Sequence, residues 1–332
     1  MKNLLIIGVG SIGKRHLENF KKFFHNIDIV DNQVGRLEEV QDKYRIRSSF
    51  TDYKKAFKEG SYNAAVIATP PHTHLDIANN ALKHNVNIFI EKPLGMNVKG
   101  WSKLASLYKN KKLVNYVGFC HRHINFTKKL KKILSKNLIG RICGVNVRWG
   151  SYLPDWHPWE DYRSFYMAKK NEGGGALYDE CHGLDLLRYF FGEVTEVSAF
   201  VGNTSDLEIS SDDCAFLNLK MKKNFFSQIN FDLYSRYPRV SFEVLGSQGN
   251  IIWDRIDFNI KIYFAKTKKW KILQYTKNDL LNMYSEQARH FYSCILKKQK
   301  PFVDISDAIK TQKIIDASFL SSKKSKTIKI KS

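Results

Sequence analysis

Leu4-Leu5-Ile6-Ile7-Gly8-Val9-Gly10-Ser11-Ile12-Gly13 decides the fold of this chain. Four consecutive apolar residues read as a strand buried on both faces, and the G-x-G-x-x-G that follows opens an amphipathic stretch running to Phe24. Each glycine has a task. Gly8 allows a tight turn, Gly10 lets the backbone approach a pyrophosphate, and Gly13 lets helix and strand pack closely. Ser11, Ile12 and Gly13 then present main-chain N–H groups at the positive end of a helix dipole, which suits an anion. The next apolar run, Ile27–Asp31, ends on an acid 18 residues after Gly13. There a carboxylate can bond the hydroxyls of an adenosine ribose. Asp31 would repel a 2′-phosphate, so the stretch favours NAD over NADP, with Arg36 standing five residues on as a partial offset.

Outward from that turn, apolar runs at Ala64–Ala68, Asn87–Ile90 and Val114–Gly118 alternate with amphipathic stretches at Leu37–Tyr44, Leu75–His84 and Val98–Lys109. This rhythm predicts βαβ units on a parallel sheet. Beyond residue 122 it changes. A helix is expected at Phe126–Ser135, a strand at Ile142–Trp149, an aromatic loop from Ser151 to Tyr166, and one helix over Gly175–Phe191. Alternating stretches follow at Thr195–Val201, Cys214–Met221, Phe225–Leu233, Arg239–Gly246, Asn250–Trp253, Asn259–Phe264 and Trp270–Gln274. Short turns between them predict a mostly antiparallel sheet. Helices over Ser285–Lys297 and Ser306–Ser321 come last, with a basic tail, Lys323–Ser332, expected to fray. The fold class is therefore α/β: an N-terminal Rossmann domain, residues 1–121, followed by an α+β domain on a large open sheet, residues 122–332.

Composition narrows the function. The 332 residues carry 54 Lys and Arg against 32 Asp and Glu, a net charge of +22, but the lysines are scattered in short groups rather than gathered in one stripe. A solvated basic surface is the expectation, with no nucleic-acid partner, and such a surface can draw in an anionic substrate. No apolar stretch approaches the length of a membrane span. Five widely spaced cysteines without a C-x-x-C pair argue against a disulfide framework or a zinc site and fit a reducing, cytoplasmic setting.

Three further motifs complete a pattern: Ala68-Thr69-Pro70-Pro71-His72-Thr73-His74, Glu91-Lys92-Pro93-Leu94, and Gly173-Gly174-Gly175-Ala176-Leu177-Tyr178-Asp179-Glu180-Cys181-His182-Gly183-Leu184-Asp185. Taken in order with the glycine turn, they resemble the Gfo/Idh/MocA family, relatives of glucose–fructose oxidoreductase and inositol dehydrogenase. The resemblance implies hydride transfer between nicotinamide and a carbinol or carbonyl of a sugar, sugar acid, cyclitol or sugar nucleotide. It places Glu91 and Lys92 beside the nicotinamide, with the Lys92 ammonium able to stabilise a developing alkoxide. It makes His182 the general acid/base. The family's acid commonly stands four residues earlier. Here that position is Tyr178, so the shorter spacing assigns Asp179, with Glu180 in reserve. Asp185 either orients the imidazole or simply belongs to the helix. Backbone contacts to the cofactor are expected around Thr69, Pro70 and His74, and no metal is expected at His72 and His74.

On the substrate side the resemblance puts Arg122 near substrate, an interdomain salt bridge being the alternative. In the loop from Tyr152 to Arg163, Trp156 and Tyr162 can stack on sugar C–H faces and Arg163 can clamp an anionic group. Packing of this loop on its own sheet, or at a subunit interface, is the alternative. The loop resembles relatives in bacterial surface-glycan and acidic-sugar pathways. Members of the family pair through the open sheet, so a homodimer or homotetramer is expected. A different class of function, a non-catalytic NAD(H) sensor that binds a regulatory partner, competes with this reading and is opposed by intact Lys92, Asp179 and His182.

Overall fold

The computed structural model describes residues 2–331. The chain divides into two compact units. One comprises the residues up to His123 together with Asn282–Ile309, the other Ile124–Leu281 together with the residues from Lys310 onward. Packing thus differs from a single division at residue 121. A late segment returns to the first unit, which a reading along the chain has no means of seeing.

The first unit follows the alternating pattern. The order is β1 (Asn3–Ile7), α1 (Ser11–Phe20), β2 (Asn26–Val30), α2 (Val34–Lys43), β3 (Ser48–Phe50), α3 (Tyr53–Glu59), β4 (Ala64–Ile67), α4 (His74–Lys83), β5 (Asn87–Ile90), α5 (Trp101–Asn110) and β6 (Asn115–Val117). The six strands are parallel in the order β3-β2-β1-β4-β5-β6. The order reverses beside β1, where a doubly wound sheet opens its ligand crevice. Leu4, Leu5, Ile6 and Ile7 are all buried, as helices on both faces require. β3 and α3 escape the sequence reading because three residues, Ser48-Ser49-Phe50, are too few to show a period. α1 ends at Phe20 rather than Phe24.

The second unit begins with α6 (Asn125–Ser135) and β7 (Ile142–Tyr152). It continues through α7 (Ala176–Asp179), α8 (His182–Phe191), β8 (Val194–Gly202), β9 (Cys214–Met221), β10 (Phe226–Asp232), β11 (Tyr234–Gly246), β12 (Gly249–Asp254), β13 (Asn259–Phe264), β14 (Lys269–Gln274) and α9 (Asn278–Leu281). α10 (Met283–Lys297) lies in the first unit. α11 (Ile305–Lys324) starts there and ends in the second, followed by β15 (Ile328–Lys329). The nine-stranded sheet runs β14-β13-β12-β11-β7-β10-β9-β8-β15 and is antiparallel except for the β7–β10 pair. In β9, Phe216 and Asn218 point to solvent while Ala215, Leu217 and Leu219 are buried, the alternation of a sheet with one wet face.

Two expectations need correcting. The helix expected over Gly175–Phe191 is broken. Glu180 takes φ −88° and ψ 13°, and the Gly183 amide bonds the Glu180 carbonyl three residues back instead of four. The tail expected to fray is tied down: Ile328 and Lys329 pair with Val197 and Glu196 of β8.

Candidate functional site

In the first unit the β1–α1 turn has the geometry of a pyrophosphate cradle. Gly8 sits at φ +87°, and a Cβ there would come within 2.6 Å of the Ala68 carbonyl oxygen. A Cβ on Gly13 would collide with the Gly8 carbonyl. A Cβ on Gly10 would meet only Arg36 Nη1, at 4.0 Å, so the space over Gly10 is open. Gly10 stands at the N-cap of α1 with no side-chain cap, which leaves the first-turn N–H groups to an incoming anion. Asp31 is buried at the end of β2. Its Oδ2 accepts from Val9 N at 2.9 Å and its Oδ1 from Gln33 N at 3.0 Å, and each oxygen keeps a lone pair for a ribose hydroxyl. Arg36 Nη1 stands 3.9 Å from Asp31 Oδ1. These residues fit a dinucleotide with an unphosphorylated adenosine ribose.

Around the Lys92 turn, the residues expected near the cofactor also brace one another. His74 is fully buried. Its Nε2 lies 2.8 Å from the Thr69 carbonyl, and its Nδ1 lies 3.1 Å from that of Pro93 and 3.3 Å from that of Leu94. Burial pushes the imidazole below its ordinary range, and the neutral ring, with one N–H to donate, packs enclosed between the two turns. Pro70 O accepts from Thr73 N and Thr73 Oγ1, and Thr69 Oγ1 pairs with Thr73 Oγ1 at 2.6 Å, so this turn is rigid. Glu91 is buried, with Oε1 2.7 Å from His16 Nε2 and Oε2 accepting from Lys92 N at 3.0 Å. Lys92 itself is half-buried, and its bond to Pro93 is cis.

Arg122 also departs from expectation. It is buried in the first unit, with Nη2 2.9 Å from Asp307 Oδ2 and Nη1 donating to the Phe302 carbonyl at 3.1 Å. The sequence separation of these partners, 185 residues for Asp307, concealed the pairing. A guanidinium held from two sides is an anchor, the salt bridge given as the alternative, made here within the first unit rather than between domains.

In the second unit Asp179 and His182 straddle the α7–α8 break. Asp179 is buried, and its Oδ1 accepts from Tyr166 OH at 3.0 Å. His182 opens α8 and stacks on Trp149 of β7, with ring centroids 6.2 Å apart and planes inclined 22°. Arg255 lies 5.8 Å from the centre of the same Trp149 ring. Asp185 is buried with Arg188 Nη1 4.0 Å away, and Arg188 also binds Glu193 at 2.9 Å and Thr311 at 2.8 Å. The structure therefore sets Asp185 in the helix's own ion-pair cluster.

Asp212 is the residue the sequence reading missed. Its carboxylate accepts from Leu177 N at 2.9 Å and its carbonyl from Ala176 N at 2.8 Å, which fixes the first turn of α7. Part of the residue's surface reaches solvent, but the carboxyl group is enclosed. Burial raises its pKa to about 7. The Leu177 N–H opposes the rise, and the charges of Asp179 and Asp213 add to it. No motif signals such a residue in the loop Ser210-Ser211-Asp212-Asp213. Tyr166 and Trp149 were likewise invisible as partners.

The aromatic loop is largely self-satisfied. Trp156 Nε1 donates to Ser151 Oγ at 2.8 Å, and Tyr162 OH accepts from Glu208 N at 3.2 Å. Arg163 is exposed and already paired with Asp161 at 2.9 Å and Glu208 at 2.6 Å. As an anion clamp it is pre-empted by two carboxylates. Trp159 is the loop's most exposed ring, at 74%.

Comparison with known proteins agrees with this geometry. Residues 2–119 match the oxidoreductase family's NAD-binding Rossmann fold, and residues 131–330 match that family's C-terminal alpha/beta domain. The chain is 27% identical over 260 residues to myo-inositol 2-dehydrogenase of Thermotoga maritima, covering 76% of this chain and 75% of that one. It is 23% identical to scyllo-inositol 2-dehydrogenase (NAD(+)) of Bacillus subtilis, covering 91% and 89%. Among solved structures, levoglucosan dehydrogenase in complex with NADH and levoglucosan superposes with a TM-score of 0.86 at 20% identity over the whole of both chains. Both halves of the chain match one family, and the protein belongs to the Gfo/Idh/MocA oxidoreductases, with an NAD-binding Rossmann domain and a C-terminal alpha/beta domain.

Proposed function

We propose that this oxidoreductase interconverts a carbinol and a carbonyl on a sugar, sugar acid, cyclitol or sugar nucleotide, with Lys92, Asp179 and His182 as its catalytic residues and NAD preferred over NADP. The observation that carries the reading is the open cradle over Gly10 with Asp31 buried at the end of β2, in a chain whose two halves both match the family. NAD, when bound, accepts or returns the hydride. The chain supplies the rest. The Lys92 ammonium hydrogen-bonds the reacting oxygen and offsets its negative charge. His182 takes the hydroxyl proton as the C–H bond breaks, leaving a carbonyl and an imidazolium. Asp179, oriented by Tyr166, favours the charged imidazole. The inositol and levoglucosan dehydrogenases it is similar to make cyclitols and anhydrosugars the first substrates to try.

The protein is taken to be cytoplasmic, which its five free cysteines fit. No helix among the described residues is long and apolar enough to cross a membrane. Phe200, 75% exposed, faces Phe216 across the β8–β9 pair, and Phe226 of β10 is 70% exposed. These rings support self-association through the open sheet as a homodimer or homotetramer, measurable by light scattering.

The experiment is a panel of sugars, sugar acids, cyclitols and sugar nucleotides with NAD⁺, and of their keto forms with NADH, followed by nicotinamide absorbance. On the substrate found, Lys92→Ala is expected to lower turnover by about 10²–10⁴-fold while NADH still binds. Full turnover in that variant removes Lys92 from the mechanism. NADH binding with silence across the panel in both directions favours the sensor.

A further inference from the structure

We propose that His16 and Glu91 form a buried positioning pair that fixes Lys92 to the helix carrying the nucleotide turn. The inference rests on the reading that Lys92 meets the reacting carbinol. β5 ends at Ile90, and the next side chain, Glu91, turns inward. One carboxylate oxygen is 2.7 Å from His16 Nε2 and the other accepts the Lys92 N–H at 3.0 Å. The His16 and Glu91 side chains are 1% and 8% exposed. His16 lies on α1, three residues after Gly13, so one carboxylate ties the main chain at Lys92 to the helix whose first turn receives the pyrophosphate.

The seat is built for this contact. The His16 ring is enclosed by Phe89 at 4.9 Å, Phe20 at 5.9 Å and Tyr284 at 6.1 Å, all measured between ring centroids. On the other side, a Cβ on Gly118 would come within 2.8 Å of Glu91 Oε1, so the carboxylate occupies the space that a side chain there would take. A buried pair of this kind adds little to folding compared with apolar groups of the same size. What it supplies is direction: the backbone from which the Lys92 side chain springs is held from inside the unit. Arg15 of α1 lies 4.9 Å from the ring centre of Tyr284, the α10 side chain that flanks His16. The bond to Lys92 N is made by Glu91.

The test compares His16→Leu, which fills the seat without a donor, with His16→Gln, whose amide N–H takes the place of Nε2–H. Three readouts are used: NADH affinity by fluorescence titration, the rate at which acetic anhydride acetylates Lys92 without nucleotide (read by mass spectrometry of its peptide), and turnover with its deuterium isotope effect on the substrate found in the panel. The expected result for His16→Leu is unchanged NADH affinity, faster acetylation of Lys92, and kcat lower by about 10–100-fold with a larger isotope effect and little change in KM. His16→Gln should restore most of each. Wild-type acetylation and turnover in His16→Leu overturn the inference. So does an equal loss in both variants that follows their melting temperatures, because that is a purely structural effect. If His16→Leu does not fold, His16→Met, which fills the seat with a flexible side chain that has no N–H to donate, takes its place with the same expectations. An active Lys92→Ala variant would overturn the reading of Lys92, and the acetylation rates would still judge the pair.

Discussion

At the scale of single residues, the structure separates side chains that face the nucleotide turn from those that brace others. Asp31 faces the nucleotide turn, with one carboxylate oxygen on Val9 N. Asp31→Asn keeps that acceptor and loses the charge. NADH affinity should fall by about tenfold or more, as for a hydrogen bond to a charged group, while NADPH gains from the nearby Arg36. Parallel titrations with both nucleotides check this, and an unchanged ratio would remove Asp31 from the ribose. Asp212 makes a different prediction. Its pKa rises from the ordinary 3.8 to about 7 on folding, so between those values the folded protein holds a proton that the unfolded chain has lost. Stability from this group is full below pH 4, declines as pH rises, and is gone above 7, with a slope of at most about 1.4 kcal/mol per pH unit. Urea melts at pH 5 and pH 8 should show wild type losing stability relative to Asp212→Asn over that interval. Gly8, Gly10, Gly13 and Asp31 could be read directly because their chemistry needs fixed spacings, and Lys92 and His182 were reached only through motifs the chain shares with the family. Asp212, His16 and the Arg122–Asp307 pair could not, because each acts through a partner far away in sequence.

At the scale of elements, the β1–α1 turn shows how two glycines in one motif fail in different ways. Gly13→Ala pushes a methyl group into the Gly8 carbonyl, so α1 must shift. The expected cost is about 1–3 kcal/mol or more of stability, together with loss of NADH binding. Gly10→Ala places its methyl in open space within the protein, so the melting temperature should hold while NADH affinity falls. Thermal melts set beside NADH titrations separate the two, and a destabilised Gly10→Ala would mean that the space is not reserved for ligand. Long periodic elements were read to within a few residues. The missed elements were β3, α3, α9 and β15, with three, seven, four and two residues, each too short to show a sustained period. The α7–α8 break was the other failure. Its apolar pattern continues across Glu180-Cys181, so only the backbone angles reveal it.

At the scale of the whole molecule, the +22 charge acts on encounter rather than on fold. With an anionic substrate, kcat/KM should fall as salt rises from 0.05 to about 0.5 M, as the Debye length shrinks below about 10 Å. With a neutral cyclitol it should stay flat. Equal salt dependence for both would show that the charge does not steer substrate. The same scale explains why the sequence could not locate the edges of the first unit. Its core cluster joins Leu17, Phe20, Phe24 and Phe89 to Ala288, Phe291 and Cys294 of α10, residues separated by eight of the nine strands of the second unit's sheet.

That return of α10 has a consequence for how the protein is made. On the ribosome the Rossmann sheet emerges first, yet Phe291 and its neighbours are still unmade when β6 leaves the tunnel. At about 5–20 residues per second, the 186 residues from His123 to Ile309 take roughly 10–40 s to synthesise. Throughout that interval the aromatic wall of Phe20, Phe24 and Phe89 waits uncovered, a span in which a nascent chain needs shielding by a chaperone and in which a stalled or truncated product exposes a ready signal for degradation.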